Sequence, residues 1–153
     1  MRARKVLLGI ALCLVAVVCY GADPTMGRWK LNEAKSKIPK GAPKNKTVVY
    51  EMTGDDVKIT IDGIDGEGKP THDEWTGKFD GNDYPVTGNP QEDTRALKKI
   101  NDHTYTVAVK KDGQTTATGH IVIDPEGKSR TVTMMRTGPD GKKVTSRAVY
   151  DKR

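Results

Sequence analysis

Apolar residues in this chain recur at every second position, and almost never at every third or fourth. Val48, Tyr50 and Met52 fall on one face of an extended segment, as do Val57, Ile59 and Ile61. Trp75-Gly77-Phe79, Tyr105-Val107-Val109, Val132-Met134 and Ala148-Tyr150 continue the pattern, with Thr, Lys and Asp largely at the alternate positions. Period two is the mark of half-buried antiparallel strands, because successive side chains of a strand point to opposite faces. It excludes a helical fold for most of the chain.

Turn residues cut the alternating runs at regular intervals: Gly54-Asp55-Asp56, Asp65-Gly66, Asp80-Gly81, Asp112-Gly113, Pro125-Glu126-Gly127 and Pro139-Asp140-Gly141. Asp-Gly between alternating runs is a hairpin signal, since glycine accepts the positive φ that tight hairpins require. The segments predicted as strands are 27–32, 46–53, 56–64, 70–79, 83–87, 94–101, 103–111, 114–124, 129–137 and 143–151. At most a turn or two of helix is expected around Asn32 to Lys37. Short strands joined by tight hairpins give either a sandwich or a barrel. An up-and-down meander closed on itself fits better, because it removes exposed edges and needs only one modestly apolar face per strand.

Apolar material is indeed scarce once the N-terminus is set aside. Arg2, Arg4 and Lys5 precede an apolar run from Val6 to Cys19, followed by Tyr20-Gly21-Ala22 and the polar Asp23-Pro24. That is the layout of a secretory signal peptide, and the run is too short for a spanning helix. Residues 1–21 are therefore read as signal peptide and 22–153 as one domain. Cleavage after Gly21 leaves the small residues Cys19 and Gly21 at the −3 and −1 positions. Lipid anchoring on Cys19 is the weaker alternative, because Val18 before it is bulkier than such processing usually tolerates. Cys13 and Cys19 leave with the signal, so the mature chain has no disulfide to staple it. Three of the 26 basic residues leave as well, so 23 bases stand against 20 acids. So mild a positive charge gives no case for a nucleic-acid partner. The expected product is an exported monomer.

The first alternating segment carries a more particular signal. Gly27-x-Trp29 resembles the Gly-x-Trp signature of lipocalins, and "GRWKL" (27–31) with a C-terminal "VYDK" (149–152) is similar to the calycin superfamily, especially its fatty-acid-binding-protein branch. The chain also resembles small exported bacterial proteins described only as lipocalin-like, with no defined activity. The resemblance implies an all-β, closed antiparallel barrel of eight strands, as in lipocalins, or ten, as in fatty-acid-binding proteins. Ten segments and the mature length favour ten. It also implies that Trp29 plugs the closed end, that Gly27 lets the backbone pass close to it, and that Arg147 packs over the indole as a cation on a ring face. Two family features are missing. Arg147 and Tyr150 are three apart rather than two, which sends them to opposite faces and removes the usual carboxylate clamp. Residues 33–46 contain two prolines and a glycine, too broken for a helical lid.

Little else in the chain points to chemistry. His72, His103 and His120 lie far apart without metal-ligand spacing, and the mature chain has no cysteine, so no metal or cofactor is expected. Ser36, Ser129 and Ser146 lie in no nucleophile motif. The acidic glycine-rich stretches 62–68 and 80–83 fit hairpin turns and fail the spacing of a calcium loop. The chain is read as not an enzyme. Two charged features remain. Lys35, Lys37, Lys40, Lys44 and Lys46 crowd one loop, either as a solvated surface or as a rim for anionic headgroups. Arg130 and Arg136 share the inward face of Val132 and Met134; both reach water from protruding strand ends, or Arg136 supplies an anion site.

The reading is thus a lipocalin-like barrel that binds a small apolar or amphipathic ligand, with or without an anionic group, in its lumen. Tyr50, Ile59, Trp75, Phe79, Tyr105, Met134 and Arg136 are the candidate lining residues. The competing reading is a filled barrel whose outer surface binds a protein or an envelope polyanion.

Overall fold

Alternation becomes ten strands in the computed structural model, which describes residues 21–138 and 140–153. The signal peptide read at 1–21 lies outside the described residues but for Gly21, as does Pro139 of the last predicted turn. The strands are β1 (Gly27–Leu31), β2 (Lys44–Thr53), β3 (Asp56–Ile64), β4 (Pro70–Gly77), β5 (Asp80–Thr87), β6 (Thr94–Asn101), β7 (Thr104–Lys111), β8 (Gln114–Ile123), β9 (Ser129–Thr137) and β10 (Lys143–Lys152). A single 3-10 turn, Glu33–Lys35, follows β1, with the Asn32 side chain accepting from the Lys35 N–H. Each strand pairs antiparallel with the next, and β1 pairs with both β2 and β10, so the meander closes into an up-and-down barrel. Closure leaves no end strand in the sheet.

The inward faces are the ones that the alternation marks. Val57, Ile59 and Ile61 are buried on β3, and Tyr105, Val107 and Val109 on β7, with more exposed residues between them. Opposed across the ladders, these residues line up in rows: Tyr50 faces Ile59, Ile59 faces Trp75, and Tyr105 faces Ile121. The β7–β8 hairpin closes through Asp112 and Gly113, both at positive φ (49° and 73°), the mirror-image turn that matches the strand twist.

Asp80-Gly81 departs from the expected turn. There β5 already begins at Asp80, and β4 stops at Gly77 rather than running to Phe79. The backbone of Phe79 instead accepts from the Lys99 N–H of β6 (3.1 Å), and its ring packs among Tyr50, Trp75 and Tyr105. A side chain at Gly77 would collide with the Tyr84 ring. Backbone pairing between β4 and β5 is therefore confined to Glu74–Thr87 and Trp75–Val86, and aromatic packing closes the rest of that seam.

Candidate functional site

The barrel has a sealed end and a porous one. At the sealed end Trp29 is fully buried (0% exposed), and its Nε1 donates to the Thr25 carbonyl at 2.8 Å. The segment before β1 is tied across the floor. The Asp23 carboxylate accepts from the Tyr105 hydroxyl (2.8 Å), from Lys99 Nζ (2.9 Å) and from the Thr25 N–H (2.9 Å). Lys152 Nζ donates to the Pro24 carbonyl (2.9 Å). Burial by itself would raise the Asp23 carboxyl, but the donors from Lys99, Thr25 and Tyr105 outweigh it and hold it below the ordinary range. Burial, together with the Asp23 charge, pushes the Tyr105 phenol up to about 12.

The guanidinium on Trp29 is that of Arg130, with Lys152 Nζ also 5.1 Å from the ring, which corrects the expectation for Arg147. Arg130 Cζ stands 4.8 Å from the Trp29 ring, 4.8 Å from Tyr50 and 5.0 Å from Tyr150. Inward positions on β10 are Ala148 and Tyr150, so alternation turns Arg147 outward, where its Nη1 donates to the Lys35 carbonyl (3.2 Å). Arg130, opposite Tyr150 and Ile123 in the ladders, faces in. Gly27 is also explained differently: its φ of +105° lies where side chains are rarely tolerated, and a Cβ there would press on Lys152 rather than on Trp29. Three aromatic faces stabilise the guanidinium, yet it is 2% exposed and its Nε and Nη1 have no hydrogen-bond partner among the described residues. Burial also pushes the Tyr150 phenol up to about 12, although the neighbouring Arg130 charge opposes this. Its hydroxyl donates to the Asn45 carbonyl (3.0 Å).

Above this floor lie two adjoining cavities. The central one, of about 90 Å³, is lined by Tyr50, Ile59, Met134, Arg130, Arg136 and Glu92, among others. The second, of about 110 Å³, lies beneath the loop after β1, between Ile38, Pro39 and Pro43 on one side and Met134, Arg136 and Tyr150 on the other. Of the predicted lining residues, Tyr50, Ile59, Met134 and Arg136 reach these cavities. Trp75, Phe79 and Tyr105 do not line them. Trp75 stacks on Phe79 (6.4 Å) and Phe79 meets Tyr105 edge-on (5.0 Å), filling the lower lumen. Arg136 has inward parity, opposite Ala117 and Val144, but is exposed at the rim. It makes no ion pair among the described residues.

A further cluster escaped the sequence reading. Arg95 Nη2 donates to Asp73 Oδ1 (3.1 Å) and to Glu92 Oε1, and its Nε donates to Glu92 Oε2 (3.2 Å). All three residues are buried. Two carboxylates share one guanidinium, so Arg95 is held firmly charged, whereas burial and the neighbouring Glu92 raise the Asp73 carboxyl despite Arg95. The only signal for this cluster was the misplaced parity of Asp73 and Arg95 on apolar faces.

At the porous end Lys35, Lys37, Lys40 and Lys46 are exposed and form no ion pair among the described residues, while Lys44 pairs with Glu33 (2.8 Å). His72 lies on the outer face with its Nδ1 2.7 Å from Asp62. Among the described residues no group of three His, Cys, Asp or Glu side chains could hold a metal ion. A concavity of about 540 Å³ is a groove on the outer wall lined by Ala96, Thr106, Ala108, Thr118, Thr133 and Met135, among others. Although larger than the lumen, it has no buried polar side chain aimed into it.

Fold and site together define a closed ten-strand barrel with a small, partly apolar lumen, consistent with a calycin-like fold and compatible with ligand binding. No family model and no curated protein sequence matches this chain.

Proposed function

We propose that this chain is an exported, non-enzymatic carrier or sensor that takes a small amphipathic molecule with an anionic group into the barrel lumen. The observation that carries the reading is Arg130: a buried guanidinium that borders a partly apolar cavity and makes no ion pair among the described residues. A buried cation without a counter-charge is costly, and an anionic group of a ligand at the cavity wall would offset that cost. The rim supports the same polarity, since Arg136 and the exposed lysines of residues 35–46 would draw anions toward the opening. Together the cavities offer about 200 Å³. This is below the roughly 300–1,000 Å³ of usual small-molecule pockets, so the ligand is short.

Calorimetric titration with hexanoate and hexanol tests this reading. Hexanoate is expected to bind at least tenfold more tightly. Arg130→Met, which keeps the aliphatic packing against the rings, is expected to abolish that preference. Equal affinity for acid and alcohol in the wild type would remove the anion site. The outer groove favours the surface-module reading, which gains if neither compound binds and native mass spectrometry of protein from its own host finds no retained small molecule.

A further inference from the structure

We infer that the lumen's ligand is a small zwitterion with its two charges at opposite ends of a short apolar linker, the anionic end at Arg130 and the cationic end at Glu92, whose carboxylate shares Arg95 with Asp73. The inference rests on the lumen-binding reading above and sharpens its ligand class. Its basis is the set of buried charges around the central cavity. Among the described residues only Asp73, Glu92, Arg95 and Arg130 are both charged and buried, at 5%, 6%, 7% and 2% exposure. Two are cations and two are anions, so the buried set is neutral as a whole.

The balance is nevertheless separated in space. Arg130 sits at the floor against Trp29, Tyr50 and Tyr150 and forms no ion pair among the described residues. The surplus anion lies in the other group, where Asp73 and Glu92 share Arg95. Glu92, Arg95 and Arg130 all border the same cavity of about 90 Å³. The two poles belong to different levels of the barrel. Arg130 lies in the row Ile123–Arg130–Tyr150, whereas Arg95 lies in the row Arg95–Val109–Ala117–Arg136 toward the opening.

A monoanion bound at Arg130 would satisfy that pole but leave the buried set with a net negative charge. A monocation at Glu92 would leave it positive. In a poorly solvated interior either imbalance is expensive. A molecule carrying both charges keeps the sum at zero and places each end against its complement. An apolar linker between the ends meets Ile59, Val107 and Ile121 in the cavity wall.

The test is calorimetric titration of the purified protein with four six-carbon probes: 6-aminohexanoate, 2-aminohexanoate, hexanoate and hexylamine. The wild type is expected to bind 6-aminohexanoate at least tenfold more tightly than each of the others. In Asp73→Asn the buried set becomes net positive, so 6-aminohexanoate should lose most of its advantage and hexanoate should gain threefold or more. Glu92→Gln applies the same change from the second acid and stands in if the first variant does not fold. A wild type that binds hexanoate or hexylamine as tightly as 6-aminohexanoate overturns the inference and leaves lumen binding intact. The same holds if 2-aminohexanoate binds equally well, or if the order of affinities survives in both variants. Failure of all four probes to bind overturns the inference and the lumen reading together.

Discussion

The two ends of this barrel are built from the same kind of strand yet held by different physics. At the floor a tryptophan, two tyrosines and an arginine pack with almost no exposure, and the segment 23–26 is laced across them by hydrogen bonds. At the opening the loop between β1 and β2 rests on the wall through Ile38 and the prolines, and its charges point to water. Burial at one end supplies stability. Incomplete burial at the other leaves the space a ligand needs. A small barrel without disulfides has to concentrate its stabilising contacts, and here they lie at the end away from the opening.

This contrast breaks most visibly at Trp29. Trp29→Ala should cost about 3–5 kcal/mol in denaturant unfolding, as truncation of a large buried aromatic does. Ile38→Ala, in the covering loop, should cost about 1 kcal/mol or less. Comparable losses at the two sites would show that the opening is as tightly packed as the floor. Next in size comes the lacing. Asp23→Ala removes a carboxylate that accepts three hydrogen bonds and should cost about 1–3 kcal/mol in the same assay.

A subtler difference concerns two carboxylates whose titrations are displaced in opposite directions. Asp23 is held below the ordinary aspartate value of about 3.9, so the stability it contributes is complete above that value and is lost as pH falls through its folded pKa. Asp73 is raised above that value, so folding takes up a proton there, and falling pH through the intervening window stabilises the fold. Unfolding curves collected from pH 7 down to pH 3 should therefore show the wild type losing ground to Asp23→Asn and gaining on Asp73→Asn. Slopes of the same sign would contradict the assignment of one end or the other.

The smallest effect belongs to the rim. Replacing Lys35, Lys37, Lys40 and Lys46 with Gln should change stability by no more than about 0.5 kcal/mol, since such surface charges are well solvated. It should slow association of an anionic probe and flatten its salt dependence, because charges outside the cavity act by steering over a Debye length of about 8–10 Å. An unchanged association rate in stopped-flow mixing would reduce the loop to a solvated surface.

Much of the fold was legible because alternation and Asp-Gly turns are local signals. The strand segments agree with the observed elements to within a few residues, and the discrepancies have local causes, such as the missing side chain at Gly77 and the capture of Phe79 by Lys99. The site was legible only in part. Parity placed Tyr50, Ile59, Met134 and Arg136 on the inward face, but whether an inward residue fills space or borders a cavity depends on its neighbours in the closed barrel. Trp75, Phe79 and Tyr105 fill space. Arg130 stood in plain view at the start of β9, but a charged residue at a strand end ordinarily reaches water. Nothing local announced that three rings from β1, β2 and β10 would surround it.

By itself the sequence determined the periodicity of the strands, the positions of most turns and the face to which each side chain points, because these follow from backbone geometry over a few residues. Only the tertiary structure decided which cation covers Trp29, how Asp73, Glu92 and Arg95 meet, and where the lumen stays empty. Those outcomes depend on closure, which brings β1 against β10 and sets side chains from distant strands against one another. Contacts between residues separated by most of the chain leave no periodic trace in it.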